Sequence, residues 1–307
     1  MVDYVITSGI GGQRIKQGNN ANMETKGIEV GFTTKNINTN NFKWSSTLNF
    51  SVYDQEITKL ENKPTAFDLI DSNGGNTVGH PRNSIYSYQF TGLNNQGLPT
   101  FVMADGETDN ITGADFQDNK DVTKYLKYEG SIEPNKSIGL ANTFTYKNWS
   151  LYVFLVGSGG NKVRLNPIYD STYDDLTAFT KDFTNRWINP GDENTTNVPV
   201  IADNRLNSNY GGERNLAKAY NTYNYSDVRV ADGDFVRLKN ISLSWEFPKD
   251  LKRKLGFSTF SLKGSSVNPW LIYSDKKLNG QDPEFRNNGG VALPVTTQYT
   301  LAINISL

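Results

Sequence analysis

The feature that most constrains this chain is an apolar–polar alternation that recurs segment after segment. Residues 42–52, "FKWSSTLNFSV", put Phe42, Trp44, Leu48, Phe50 and Val52 on one face of an extended strand. Lys43, Ser45, Thr47, Asn49 and Ser51 fall on the other, because successive side chains of a strand point to opposite faces. "KGIEVGFTTKNI" (26–37) reads as its hairpin partner across "NTNN" (38–41). "IGLANTFTYKNWSLYVFLV" (138–156) repeats the design around a turn at Lys147–Asn148. In "DFVRLKNISLSWEF" (234–247), Ile241, Leu243, Trp245 and Phe247 oppose Asn240, Ser242, Ser244 and Glu246. Val236 and Leu238 lie on the other parity, which predicts a β-bulge near Asn240. Segments 257–268 and 296–307 complete the set. The last, "QYTLAINISL", aligns Tyr299, Leu301, Ile303, Ile305 and Leu307 in one apolar row. Helical periodicity is nearly confined to one turn in "DLKRKLGF" (250–257).

A second alternation lies in the connections. Those at 38–41, 147–148 and 248–256 are short, and those at 61–127, 158–226 and 271–294 are long. If every strand crosses one sheet, all short turns gather at one end and all long loops at the other. That is the plan of a transmembrane β-barrel, with short periplasmic turns and long extracellular loops. Compact soluble domains use connections of about 4–6 residues. The expected fold is therefore all-β, an antiparallel transmembrane barrel portion of about eight up-and-down strands. On that reading the row from Tyr299 to Leu307 faces lipid. Phe42, Trp44, Tyr146, Trp149, Trp245, Phe247 and Phe257 border the short turns, where a membrane protein keeps interfacial aromatics. A soluble secreted β-sheet glycan-binding module would explain the alternation but not the loop lengths. A small closed eight-stranded barrel fits the strand count.

Composition narrows the chemistry. The net charge is -1 over 307 residues, so no global field recruits nucleic acid. Mean hydropathy is -0.57, and no stretch reaches the roughly 20 apolar residues of a membrane helix. Without cysteine there are no disulfides or thiolate metal sites. The single histidine, His80, sits in the Gly/Asn-rich "DSNGGNTVGHP" and reads as a loop residue rather than a catalytic base. Acidic clusters at Asp232/Asp234 and Asp115/Asp118/Asp121 lack an EF-hand pattern, and "GSGG" (157–160) opens no helix that could cradle phosphate. The expectation is no enzyme, no catalytic or metal-binding residues and no cofactor. The loop 158–226 carries Tyr169, Tyr173, Trp187, Tyr210, Tyr220, Tyr223 and Tyr225 among Asn and Asp. Such residues suit a sugar or peptide substrate, a protein partner, or a loop whose rings bury one another.

Several segments together resemble one family. "NMETKGIEVGF" (22–32), "TGLNNQGLPTF" (91–101), "NTFTYKNWSLYVFLVGSGGNKV" (142–163), "RWINPGDENTTNVP" (186–199), "DVRVADGDFVRLKNISLSWEFP" (227–248) and "DPEF" (282–285) are similar, in order, to the SusC/RagA branch of TonB-dependent outer-membrane transporters. The chain departs from that pattern at Val200, Trp245 and Leu307, where the family carries Arg, Tyr and a terminal aromatic.

The resemblance implies that residues 1–307 form the C-terminal part of a larger, 22-stranded barrel in the cell outer membrane. Signal peptide, TonB box and plug domain are expected to lie outside this sequence. It further implies import of nutrient oligosaccharides or peptides with a SusD-like surface lipoprotein as lid. TonB–ExbB–ExbD would act through the N-terminal part, and the barrel-assembly machinery would read the final strand.

Overall fold

The computed structural model describes residues 2–6, 15–19, 21–103, 105–106, 108–109, 114–169, 180–202, 204–209, 213–284 and 296–306. Seven strands form one antiparallel sheet: β1 (Ala21–Asn38), β2 (Phe42–Leu60), β3 (Lys136–Tyr146), β4 (Trp149–Gly159), β5 (Phe235–Glu246), β6 (Thr259–Ser274) and β7 (Gln298–Ser306). Each pairs only with its neighbours in the chain, so the sheet is an uninterrupted meander. A separate hairpin joins Val2–Ile6 to Ile15–Asn19. Seven of the expected about eight up-and-down strands thus stand in this sheet among the described residues.

The predicted bulge is present. Phe154 pairs with Asn240 and Leu155 with Leu238, leaving Lys239 as the extra residue. One extra residue reverses side-chain parity. Leu238 therefore joins the row of Ile241, Leu243 and Trp245, and Arg237 turns to the polar face.

The three short connections are 39–41, 147–148 and 247–258. The last holds a helix, Lys249–Leu255, closed by Gly256 in the left-handed region, one turn more than its sequence suggested. The long connections run over 61–135, 160–234 and 275–297, so the wall resumes later, at Lys136 and Phe235, than the expected loop ends. The third also begins later than expected, because β6 continues through Pro269 to Ser274. Proline is tolerated there because Asn268 and Pro269 lie in a bulge with no register partner on β5, and the pairing with β7 ends at Val267 among the described residues.

No helix among the described residues is long and apolar enough to cross a membrane. The main buried cluster lies outside the wall, although Ile57, Phe235 and Leu238 of the wall are buried too. Leu69, Ile70, Tyr88, Leu98 and Phe101 of the first long loop pack with Ile168, Leu216, Tyr220 and Tyr223 of the second. Large apolar side chains on the wall, by contrast, stay exposed, including Ile28, Phe32, Trp149, Leu243 and Leu301. An apolar face this broad without protein cover is unstable in water.

Candidate functional site

Register carries each face intact across all seven strands. One row runs Phe42–Tyr146–Trp149–Trp245–Leu262–Ile303. The next runs Ile37–Trp44–Phe144–Leu151–Leu243–Gly264–Leu301. The row between them is Lys43–Thr145–Ser150–Ser244–Lys263–Ala302, and the row beyond the second is Lys35–Ser45–Thr143–Tyr152–Ser242–Ser265–Thr300; both are largely polar. One face is therefore mainly apolar, interrupted by the row Thr34–Ser46–Asn142–Val153–Ile241–Ser266–Tyr299 in which Trp44 Nε1 and Ser46 Oγ donate to Asn142, and the other is lined by hydroxyls, amides and a few charges.

Rings crowd the short-turn end of the apolar face. Trp44 stacks on Phe144 at 5.7 Å, Trp149 on Trp245 at 5.5 Å, and Phe247 on Phe260 at 3.8 Å, with Phe257 edge-on to Phe260 at 5.5 Å. Tyr299 and Leu301 are 81% and 75% exposed, with Ile303 and Ile305 beyond them. Leu307 lies outside the described residues.

The polar face holds a recess of about 620 Å³, between Tyr152 and Phe154 on β4 and Lys239, Asn240, Ser242 and Lys263 on β5 and β6. Bulky rings at lumenal parity were missed from sequence. The available signal was that residues 151–156 are apolar on both parities, which one-sided burial does not require.

At the long-loop end the family-like segments interlock. Lys162–Arg164 pairs with Val230–Asp232, joining "GSGGNKV" to "ADGDF". Gly160 donates its N–H to Asp234 at 2.7 Å, and Gly233 donates to the Asn161 carbonyl at 2.8 Å. Gly160 has φ +81°, and a Cβ there would meet Asn135 Oδ1 at 1.9 Å, so only glycine fits. Gly97 of "GLNNQGLPTF" lies against the Trp187 ring of "RWINPGD", where a Cβ would come within 2.5 Å. Trp187 Nε1 donates to Glu193 at 2.8 Å, and Asp192 accepts from the Ile188 and Asn189 amides.

The bulge brings Arg237 to Asp282 (2.6 Å) and Glu284 (2.6 Å), which explains why "FVRLKN" and "DPEF" occur together. Phe285, the last residue of that motif, lies outside the described residues. Arg164 donates to the carbonyls of Ile70, Tyr86 and Ser226 and to Ser87 Oγ, tying both long loops together. Complete burial lowers its pKa to about 10, opposed by nearby Glu129. Burial raises the pKa of Glu129, partly offset by Lys127.

The loop aromatics take up the third role that their composition left open. Tyr169, Tyr220, Tyr223 and Trp187 are buried, with Tyr169 and Tyr220 rings 4.7 Å apart. The Tyr169 hydroxyl donates to the Pro199 carbonyl and Tyr220 to that of Val200. Tyr225 is half-buried against Phe67 and Phe116. These side chains frame the loop rather than face outward; Tyr173 and Tyr210 lie outside the described residues. His80 stacks on Tyr128 at 4.1 Å. Asp232 pairs with Lys162, and Asp121 with Lys124. No group of three or more acidic or histidine side chains converges to hold a metal among the described residues.

A meander with one apolar and one polar face, long loops at one end and rings at the other, is the wall of a transmembrane β-barrel. No protein-family model matches the chain. It is 28% identical to TonB-dependent receptor P3 of Formosa agariphila over 285 residues, 87% of this chain and 26% of that protein. It is 25% identical to TonB-dependent receptor P39 of the same organism over 316 residues, 90% of this chain and 29% of that one. A solved RagAB peptide transporter superposes with TM-score 0.72 at 20% identity, over 99% of this chain and 32% of that one. The RagAB peptide importer in its closed-closed state gives 0.71. The chain thus has the barrel fold of these transporter structures and is similar in sequence to TonB-dependent receptors, and it is an outer-membrane protein. It spans under a third of the length of these relatives.

Proposed function

We propose that residues 1–307 supply the C-terminal part of the barrel of a TonB-dependent importer, and that the polar face lines the path of an oligosaccharide or peptide. The observation that carries this is the sorting of side chains into a mainly apolar and a mainly polar face across the seven-stranded sheet. An apolar face without protein cover needs lipid, and a continuous polar face with a recess needs water or a hydrophilic cargo. RagAB, which shares the fold, is a peptide transporter, which supports a peptide cargo.

In this reading the row Tyr299, Leu301, Ile303, Ile305 and Leu307 contacts lipid. Phe42, Trp44, Tyr146, Trp149, Trp245, Phe247 and Phe257 sit at headgroup depth on the periplasmic side. The packed long loops form a rigid outer rim on which a SusD-like lipoprotein closes. Plug, TonB box and the contacts with TonB–ExbB–ExbD belong to sequence outside this segment.

The two sheet edges, β1 and β7, carry unpaired backbone groups among the described residues. In lipid each such group costs several kcal/mol, so the segment works only when the rest of the barrel pairs with both edges. Co-expression with an N-terminal barrel and plug portion should restore nutrient uptake and yield heat-modifiable protein in the outer-membrane fraction. Natively folded protein that stays soluble without detergent would refute the barrel reading.

A further inference from the structure

A second recess, of about 380 Å³, lies in the first long loop, away from the barrel wall. Tyr88, Tyr125, Met103, Asp105, Asp115 and Asp118 line it, and no Lys or Arg does. Tyr88 is 1% exposed, and its hydroxyl has no hydrogen-bond partner among the described residues. Leaving a buried hydroxyl unbonded is destabilising. Tyr88 lines the recess with its ring stacked 5.8 Å from Phe116 and 6.2 Å from Tyr125, which fixes its position in the wall.

The carboxylates are arranged as acceptors. Asp118 takes the Tyr125 hydroxyl at 2.8 Å and the Lys120 amide at 2.9 Å. These bonds keep its pKa below the usual carboxylate value. Asp115 takes only the Gln117 amide, at 3.0 Å, and is exposed at the mouth. Burial, reinforced by Tyr125, Asp115 and Asp118, keeps the Tyr88 phenol protonated, so its oxygen remains an acceptor. Among the described residues, acceptors and aromatic faces thus line the space. Carboxylates and ring faces both attract a cation with N–H donors. A bare metal ion is disfavoured, because no three carboxylate or histidine side chains come together among the described residues to ligate it.

We propose that this recess binds a primary ammonium group. The ammonium donates to Asp115, Asp118 and the Tyr88 hydroxyl oxygen, while its carbon body lies against Tyr125 and Met103. Two cargo chemistries present such a group, the free N-terminus or lysine of a peptide and an amino sugar. The inference deepens the import reading by placing a charge-selective capture site on the outer rim, and rests on that reading only for which molecule arrives.

The test is direct binding to the assembled transporter in detergent, by calorimetry. The probes are triglycine against N-acetyltriglycine, and glucosamine against N-acetylglucosamine. At least one free amine should bind 10-fold or more tightly than its acetylated twin, and the pair that discriminates identifies the source. Asp115→Asn should lower that affinity about 10-fold. Tyr88→Phe should lower it several-fold while leaving the acetylated probe unchanged; because it keeps the ring, it also carries the test if Asp115→Asn does not fold. Equal binding of free and acetylated probes would overturn the inference. So would calcium chloride binding at the recess in place of the amines, or an unaltered Tyr88→Phe. Uptake assays separate the two readings. Uptake of both twins without discrimination removes the ammonium site alone, whereas no uptake of any cargo removes the import reading and leaves the binding result to stand by itself.

Discussion

Replacing Arg237 by Met tests how the third long loop is held to the wall. The Arg237 side chain is 4% exposed and meets Asp282, itself 5% exposed, at 2.6 Å. Its Nε lies 2.6 Å from Glu284, which Lys239 also approaches at 3.4 Å. Methionine keeps the length and removes the guanidinium that pairs with Asp282. Breaking a buried pair from one side costs about 3–5 kcal/mol, because the remaining charge stays buried without compensation. At about 1.4 kcal/mol per tenfold, a loss of about 3 kcal/mol is a roughly hundredfold drop in the folding constant.

The double variant Arg237→Met/Asp282→Leu removes both buried charges and leaves Glu284 to Lys239. It should recover more than half of the loss, a coupling of at least about 1.5 kcal/mol. The assay is urea unfolding of the barrel in micelles, read by heat-modifiable gel mobility, with limited proteolysis of residues 275–284 as a local readout. A single-variant cost below about 1 kcal/mol, or additive effects in the double variant, would refute the argument that this pair is the buried clamp.

Other outcomes follow from the same geometry. Leu301→Arg should cost about 2–4 kcal/mol of stability in vesicles, as a charge on the lipid face does at mid-depth, while Thr300→Arg on the opposite face should change little; equal effects would contradict the assignment of faces. Gly160→Ala should destabilise the rim by about 1–3 kcal/mol through left-handed strain and the clash with Asn135, seen as a lower urea midpoint and faster cleavage at 160–164. Glu129 has a raised pKa in the folded state, chiefly from burial. The folded protein therefore binds its proton more tightly than the unfolded chain, so this residue favours folding increasingly as pH falls through that raised value, and levels off below its ordinary 4.5. Urea midpoints across that range should show the trend in the native protein and lose it in Glu129→Gln; an unchanged pH profile would count against the burial argument.

Much of the wall was legible before any coordinates. Strand parity is local, so Trp44, Phe50, Leu151 and Ile303 announced their face from spacing alone. The bulge was legible too, because Leu238 and Ile241 cannot share a face without an extra residue between them. The end of β6 was less legible. A proline breaks a ladder unless it is bulged out of it, and here Asn268 and Pro269 have no register partner on β5, so the strand continues past them. The loops were the least legible. Tyr169, Tyr220 and Tyr223 carry the same composition whether they meet a ligand or one another, and their burial depends on residues more than fifty positions away, such as Leu98 and Phe101.

By itself the sequence determined a two-faced antiparallel meander with long loops at one end, because alternation and connection length are set by neighbouring residues. Only the tertiary structure decided which motifs meet. Arg237 found Asp282, Gly97 found Trp187 and Arg164 found Ser87 through loop closure, which local pattern does not encode. It also decided that the main core lies in the loops and not in the wall. The reason is physical: lipid and lumen water solvate the two faces of a barrel wall, so the side chains that bury one another are those of the long loops at its mouth.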